Sequence, residues 1–228
     1  MKAQHVTKIS EKTTAATIVY RKLRQDILRG VLEPGQKLAI DVIAERYGTG
    51  TNPVREALNR LSAERLVDRH EQRGFFVPAI SIENWRELVK TRCWLETKAL
   101  EESMRNRTTE WEEGIVLSFY RLSRVQASKE ELDPAKRSEW EVPHRAFHLA
   151  LIANCQSTWM LEFCEVLMDH AQRYIFVSDS YAYPRRNGLE EHRALMDVIL
   201  GGEILSATEM LVEHYHRTLN KIEAQITG

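Results

Sequence analysis

No apolar run in the chain approaches the ~20 residues needed to cross a bilayer. Its opening stretch, "MKAQHVTKISEKTTAAT", lacks the apolar core of a secretory signal. Cysteine is scarce: Cys93, Cys155 and Cys164 are odd in number and have no metal-type spacing. These fit reduced thiols better than a disulfide framework, so a cytoplasmic protein without a membrane partner is expected. Beyond residue 80 there is neither a β-pattern nor a glycine-rich phosphate loop, which removes the nucleotide-binding α/β class. What remains is 228 residues with 43% hydrophobic and 29% charged side chains, enough for one large domain or two modest ones.

The net charge of −1 conceals a division. Residues 1–78 carry 14 Lys/Arg against 9 Asp/Glu, whereas the rest of the chain carries 18 against 24. A basic segment joined to an acidic one suggests two domains, the first facing a polyanion.

In the basic segment, "TIVYRKLRQDILRG" sets Ile18, Leu23, Ile27 and Leu28 at helical spacing, with Gly30 closing the helix. Pro34 and Gly35 punctuate a turn. A short helix follows, with Ile40, Ile43, Ala44 and Tyr47 as one stripe and Gly48 at its end. "TGTNPVREALNRLSAERL" begins a third helix, with Thr51 or Asn52 as cap and Pro53 in the first turn. Val54, Ala57, Leu58 and Leu61 face inward. "LVDRHEQRGFFVPA" then reads as two short strands around a turn at "EQRG". Helix, helix–turn–helix and hairpin within about 65 residues is a winged helix-turn-helix layout. The third helix would aim Thr49, Thr51 and Asn52 at phosphates or base edges, with Arg55 one turn in. Arg73 and Gly74 would form the wing tip. Set against this is the plainer reading of Arg55 and Arg73 as solvated surface charges.

After a linker at 79–81, the chain reads as helices near 82–105, 109–126, 137–154, 157–178, 186–200 and 203–226. Trp85, Leu88, Val89, Trp94, Leu95 and Leu100 are the apolar positions of the first, and Thr109 with Glu112 suggests a capping box on the second. "ASKEELDPAKR" is a polar break. The fold class is therefore mainly α: a winged helix-turn-helix at 16–78, preceded by a tail at 1–15, then an all-α antiparallel bundle at 82–228.

"IAERYGTGTNPVREALNRLSAERLV" and "RGFFV" resemble the DNA-binding domain of the GntR family of bacterial transcription regulators, over residues 16–78. The resemblance implies DNA contacts at Thr51, Asn52, Arg55, Arg73 and Gly74. Thr51 stands where relatives often have arginine, and Asp41 where the second helix often has a basic residue. From 82 to 224, "RCWLETKAL", "HRAFHLAL", "EEHRALMDVILGG" and "VEHYHRTL" resemble the FCD effector domain of the FadR subfamily. Many members hold a metal through an Asp and three His. His148, His192 and His214 fall on the histidine positions, and His144 falls where the Asp is usual.

His144 and His148 share one helix face, while His192 and His214 lie on separate helices that a bundle could bring together. Four neutral imidazoles would suit Zn²⁺, Ni²⁺ or Co²⁺ and leave the full dication charge for an anionic effector. The rival readings are an empty cluster that binds a carboxylate directly when partly protonated, and ordinary helical histidines. His216 points to another face, and His5, His70 and His170 have no partner pattern. Arg92, among apolar neighbours, needs a partner. That is either Glu96 one turn on or, as the resemblance implies, an effector carboxylate.

The expected function is a ligand-responsive regulator, a repressor, that binds operator DNA as a homodimer and is released by a small organic acid. An alternative is a metal-sensing regulator with the ion as signal. A remote alternative is a metallohydrolase using the histidines with Glu141 or Glu191, for which no nucleophile motif is present.

Overall fold

The computed structural model describes residues 14–126, 134–177 and 188–227, in two units, Met1–Ala79 and Ile80–Gly228. The tail at 1–13, His5 with it, and most of the polar break lie outside the described residues.

In the first unit, the Thr14 hydroxyl accepts from the Thr17 amide and opens α1 (Ala15–Leu28). The buried stripe is Val19, Leu23 and Ile27, with Leu28 beside it. Ile18, expected inside, is 45% exposed, because the i, i+4, i+8 row that meets the core begins one residue later. Gly30 follows the helix at φ +68 and turns the chain. β1 (Lys37–Leu38) leads to α2 (Ile40–Tyr47), which ends at left-handed Gly48, and then to α3 (Thr51–Ala63). β2 (Asp68–His70) and β3 (Gly74–Phe76) form the hairpin.

β1 adds a third strand, antiparallel to β3, giving the order β1-β3-β2. Val54, Ala57, Leu58 and Leu61 on α3 are fully buried and share a core with α1. Two tyrosines brace this core from its edge. Tyr20 donates to Glu64 at 2.7 Å and Tyr47 to Asp26 at 2.6 Å. Burial, with Glu64 beside it, pushes the Tyr20 hydroxyl up to about 12, so it stays a donor.

The second unit contains six helices among the described residues: α4 (Ile82–Arg105), α5 (Thr109–Gln126), α6 (Pro134–Ile152), α7 (Thr158–Val177), α8 (Gly188–Gly201) and α9 (Ile204–Thr227). α4 runs through the middle, packed on α6, α7 and α9, while α5 packs on α6 and α8. Trp85, Leu100, Ile115, Leu122 and Phe147 are buried at its core. Trp85 stacks on Tyr174 at 4.9 Å and donates its ring N–H to the Leu219 carbonyl, so one side chain joins α4, α7 and α9. Trp94, expected among the apolar positions of α4, is 65% exposed with Lys90 over its ring.

The start of α5 also differs from expectation. Thr108, not Thr109, accepts from the Trp111 amide, and Glu112 pairs with Arg107 instead of closing a capping box. Arg107 also donates to the Leu200 carbonyl at 2.9 Å, which ties the α4–α5 corner to the α8–α9 corner. At that second corner Gly202 has φ +82, and a Cβ there would stand 2.8 Å from Arg107 Nη1. Gly202→Ala would therefore combine a left-handed backbone, costing about 1–2 kcal/mol, with a displaced Arg107. The expected result is a Tm lower by about 2–8 °C, read by calorimetry.

Candidate functional site

The N-terminal end of α3 is exposed and carries no capping side chain. Its N-cap is Gly50, not Thr51 or Asn52. The expected cap lies one or two residues too late, because Thr51 and Asn52 already form the first turn. Pro53 has no N–H of its own to leave unpaired, so the orphan amides are those at the start of the turn. No acidic residue occupies that turn. Thr51, Asn52 and Arg55 are exposed and Thr49 is half-buried, so helix end, hydroxyls, amide and guanidinium face outward together. At the hairpin, Arg73 is exposed, its guanidinium 5.7 Å over the Phe76 ring. Gly74, at φ +94, begins β3 with no atom near the place a Cβ would take.

The four histidines of the second unit come together. The nitrogens of His144, His148, His192 and His214 that could serve as ligands all lie within 4.8 Å of one another. α6 supplies the first two, α8 and α9 one each. The Nε2 atoms of His144, His148 and His192 form a triangle with sides of 3.1, 3.1 and 3.3 Å. Ligand nitrogens at ~2.0–2.1 Å from one ion stand roughly 2.8–3.4 Å apart at right or tetrahedral angles. The triangle has those dimensions.

The opposite ring nitrogens decide the tautomers. His192 Nδ1 faces the Gly188 carbonyl, which can only accept, so a neutral ring carries its proton there. His214 Nδ1 faces the Glu191 carboxylate at 3.3 Å. His148 Nδ1 lies 3.4 Å from the Tyr215 oxygen, whose own proton goes to Glu96. His144 is stacked on Trp140 at 4.0 Å. For His192 and His148 the contact behind the ring places the proton on Nδ1 and leaves the Nε2 lone pair facing inward, while Glu191 and Trp140 hold the rings of His214 and His144, the outer support expected of metal ligands. Burial first, and the neighbouring histidines second, hold His144 and His148 well below the usual imidazole range. Converging neutral lone pairs repel unless a cation sits among them. The residues fit a divalent transition metal.

Arg92, 8% exposed, is bidentate to Glu96, with Nε–Oε1 of 2.6 Å and Nη2–Oε2 of 3.3 Å. Its guanidinium lies 4.3 Å over the Tyr215 ring. Burial is the largest single effect and opposes its charge, but Glu96, Tyr215 and Cys93 together more than offset burial and keep Arg92 protonated. Of the two readings of Arg92, the pair with Glu96 is present. A guanidinium has five N–H donors, so the pair leaves others for a ligand. Arg92, His144, His148, His214 and Tyr215 line a cavity of about 70 Å³ together with residues of α7. Glu141 lines it too, while Glu191 stands behind His214. His216 is exposed, as its offset from His214 implied, and His70 packs edge-on against Phe76. The three cysteines are free and buried, and burial pushes the Cys164 thiol up to about 12.

Residues 15–77 match the family of bacterial regulatory proteins called gntR, and residues 87–217 match the FCD domain. The chain belongs to the GntR family. It is 37% identical over 204 residues to the HTH-type transcriptional regulator BphR of Paraburkholderia xenovorans, covering 89% of this chain and 83% of that one. It is 31% identical over 221 residues to the HTH-type transcriptional repressor GlaR of Escherichia coli, covering 92% and 96%. The solved structure of E. coli McbR/YncC has the same fold, with a TM-score of 0.77 at 20% identity, covering 93% of this chain and 99% of that one. As a GntR protein with an FCD effector domain it is a DNA-binding transcription regulator and not an enzyme. Among the described residues no helix is long and apolar enough to cross a membrane. The GntR resemblance pointed to the histidines and Arg92, but not to Tyr215 or Glu191, whose roles depend on contacts between helices. Only the adjacency of Tyr215 to His214 hinted at the first.

Proposed function

We propose that the protein is a repressor that binds operator DNA as a homodimer and lets go when a small carboxylate enters its helical domain. The observation that carries this reading is the meeting of four histidine rings, three of which, His144, His148 and His214, line a cavity shared with Arg92. His144, His148, His192 and His214 would hold a divalent transition metal, Zn²⁺ or Ni²⁺. Bound there, the metal offers a Lewis-acidic docking point for a carboxylate oxygen. Because all four ligands are neutral, an anion is what the site lacks. Arg92 orients that anion through the donors Glu96 leaves free, and Tyr215 and Glu191 hold the rings. The acid shifts the protein toward release only insofar as it binds the released state better.

At the other unit, Thr49, Thr51, Asn52 and Arg55 meet the major groove and Arg73 with Gly74 the neighbouring groove. Two copies would read a two-fold operator, and the protein would act in the cytoplasm, where that DNA is. The test is a gel-shift screen of the DNA upstream of its own gene, with sedimentation alongside. We expect specific binding that weakens steeply with salt, by a species of twice the 26.5 kDa chain mass, and release by a short-chain acid. Release by Zn²⁺ or Ni²⁺ with no acid present would make the ion itself the signal.

A further inference from the structure

α5 is apolar on two sides. Trp111, Ile115, Phe119 and Leu122 are buried in the bundle. On the opposite side Val116, Leu117 and Tyr120 are 47% to 59% exposed. The outward face of a surface helix is ordinarily polar, and an apolar patch there marks a place where another protein sits. Gly114 stands one turn before Leu117, with no atom within 4 Å of the place a Cβ would take. A glycine in mid-helix weakens the helix, and nothing in its own chain needs the space it leaves. A second helix packed there could approach closely.

The charges say which helix. Glu112 is held by Arg107. By contrast, Glu113 and Arg124 are exposed and take part in no ion pair among the described residues. Alternating steps of three and four residues along the outer side give Glu113, Leu117, Tyr120 and Arg124. Read from the other end, the same stripe sets positive against negative and apolar against apolar. A surface that complements its own reverse fits a copy of itself across a two-fold axis. The helix dipole accounts for an acidic start and a basic end, but not for the apolar residues between them. Trp159, Phe163 and Val166 on α7 are exposed as well. The exposed charges among them are Glu162 and Glu165, which a two-fold copy would bring toward each other.

We propose that α5 is the surface through which two copies of the chain join, packed antiparallel about a two-fold axis between Leu117 and Tyr120. Leu117 then meets Tyr120 of the second copy and Glu113 meets its Arg124, each contact being made twice. This rests on the homodimer reading above and names the face that forms it.

Sedimentation equilibrium of the full-length protein tests it. Glu113→Arg and Arg124→Glu each set like charges together twice, so each should raise the dimer Kd at least ~10-fold. The double variant restores opposite charges and should return to within about 3-fold of wild type. Both side chains lie outside the core, so the Tm of the diluted, monomeric chain should stay within about 1 °C. Changing Trp159 and Phe163 on α7 to lysine should leave Kd as it was. A Kd that neither single variant moves, a double variant no tighter than the singles, or a dimer lost only through the α7 changes would overturn this inference and leave the homodimer reading standing. A wild-type chain that remains at 26.5 kDa at every concentration would overturn both.

Discussion

Stripping the purified protein with a chelator should lower its Tm by roughly 8–16 °C, and adding back Zn²⁺ or Ni²⁺ should restore it. The size follows from linkage. An ion present at a thousand times its Kd stabilises the folded state by about 4 kcal/mol, and a domain of this size loses about 2–4 °C per kcal/mol. The direction follows from the rings: His192 and His148 are buried, held in place from behind by the Gly188 carbonyl and the Tyr215 hydroxyl, and point unshared electron pairs at one another. With an ion among them that arrangement is favourable, and without one it is strained. His148→Ala and His192→Ala should unfold at or below the temperature of the stripped wild type and should not respond to the chelator. Elemental analysis should find about one metal per wild-type chain and none in the variants.

Arg55→Ala should weaken operator binding by about 5- to 150-fold, the 1–3 kcal/mol of one guanidinium on a base edge or phosphate. Arg55 is exposed on the outward face of α3, and its Cβ neighbours the uncapped first turn, so truncation removes contact with DNA and little from the core. Tm should stay within about 1 °C of wild type. Arg73→Ala should cost less, and should reduce the slope of log K against log salt by about one phosphate's worth. A loss of binding that tracks a loss of Tm would instead place Arg55 in the fold.

Local chemistry accounts for what could be read in advance. Ile82–Arg105 and Thr109–Gln126 match the expected helices to the residue, because Ser81, Thr108 and the polar breaks around them punctuate a clear 3.6-residue pattern. Where two candidates for one local role stand side by side, the local pattern favours the neighbour of the residue that fills it: Thr109 over Thr108, Thr51 or Asn52 over Gly50, Ile18 over Val19. Each is a one- or two-residue shift that changes no element. No local pattern marks β1, because two residues carry no periodicity, and Leu38 becomes a strand residue only through its pairing with β3. The spacing of His144 and His148 is a property of one helix and was legible. The meeting of those rings with His192 and His214 is a property of the packing of α6, α8 and α9, and came only from resemblance.

The most direct measurement is operator affinity by fluorescence anisotropy, with and without a short-chain acid, for metal-loaded wild type and for His192→Ala. If the imidazole site governs DNA binding, the acid weakens wild-type binding at least ~10-fold and leaves the variant's unchanged. Equal release of both proteins, or of neither, would contradict it.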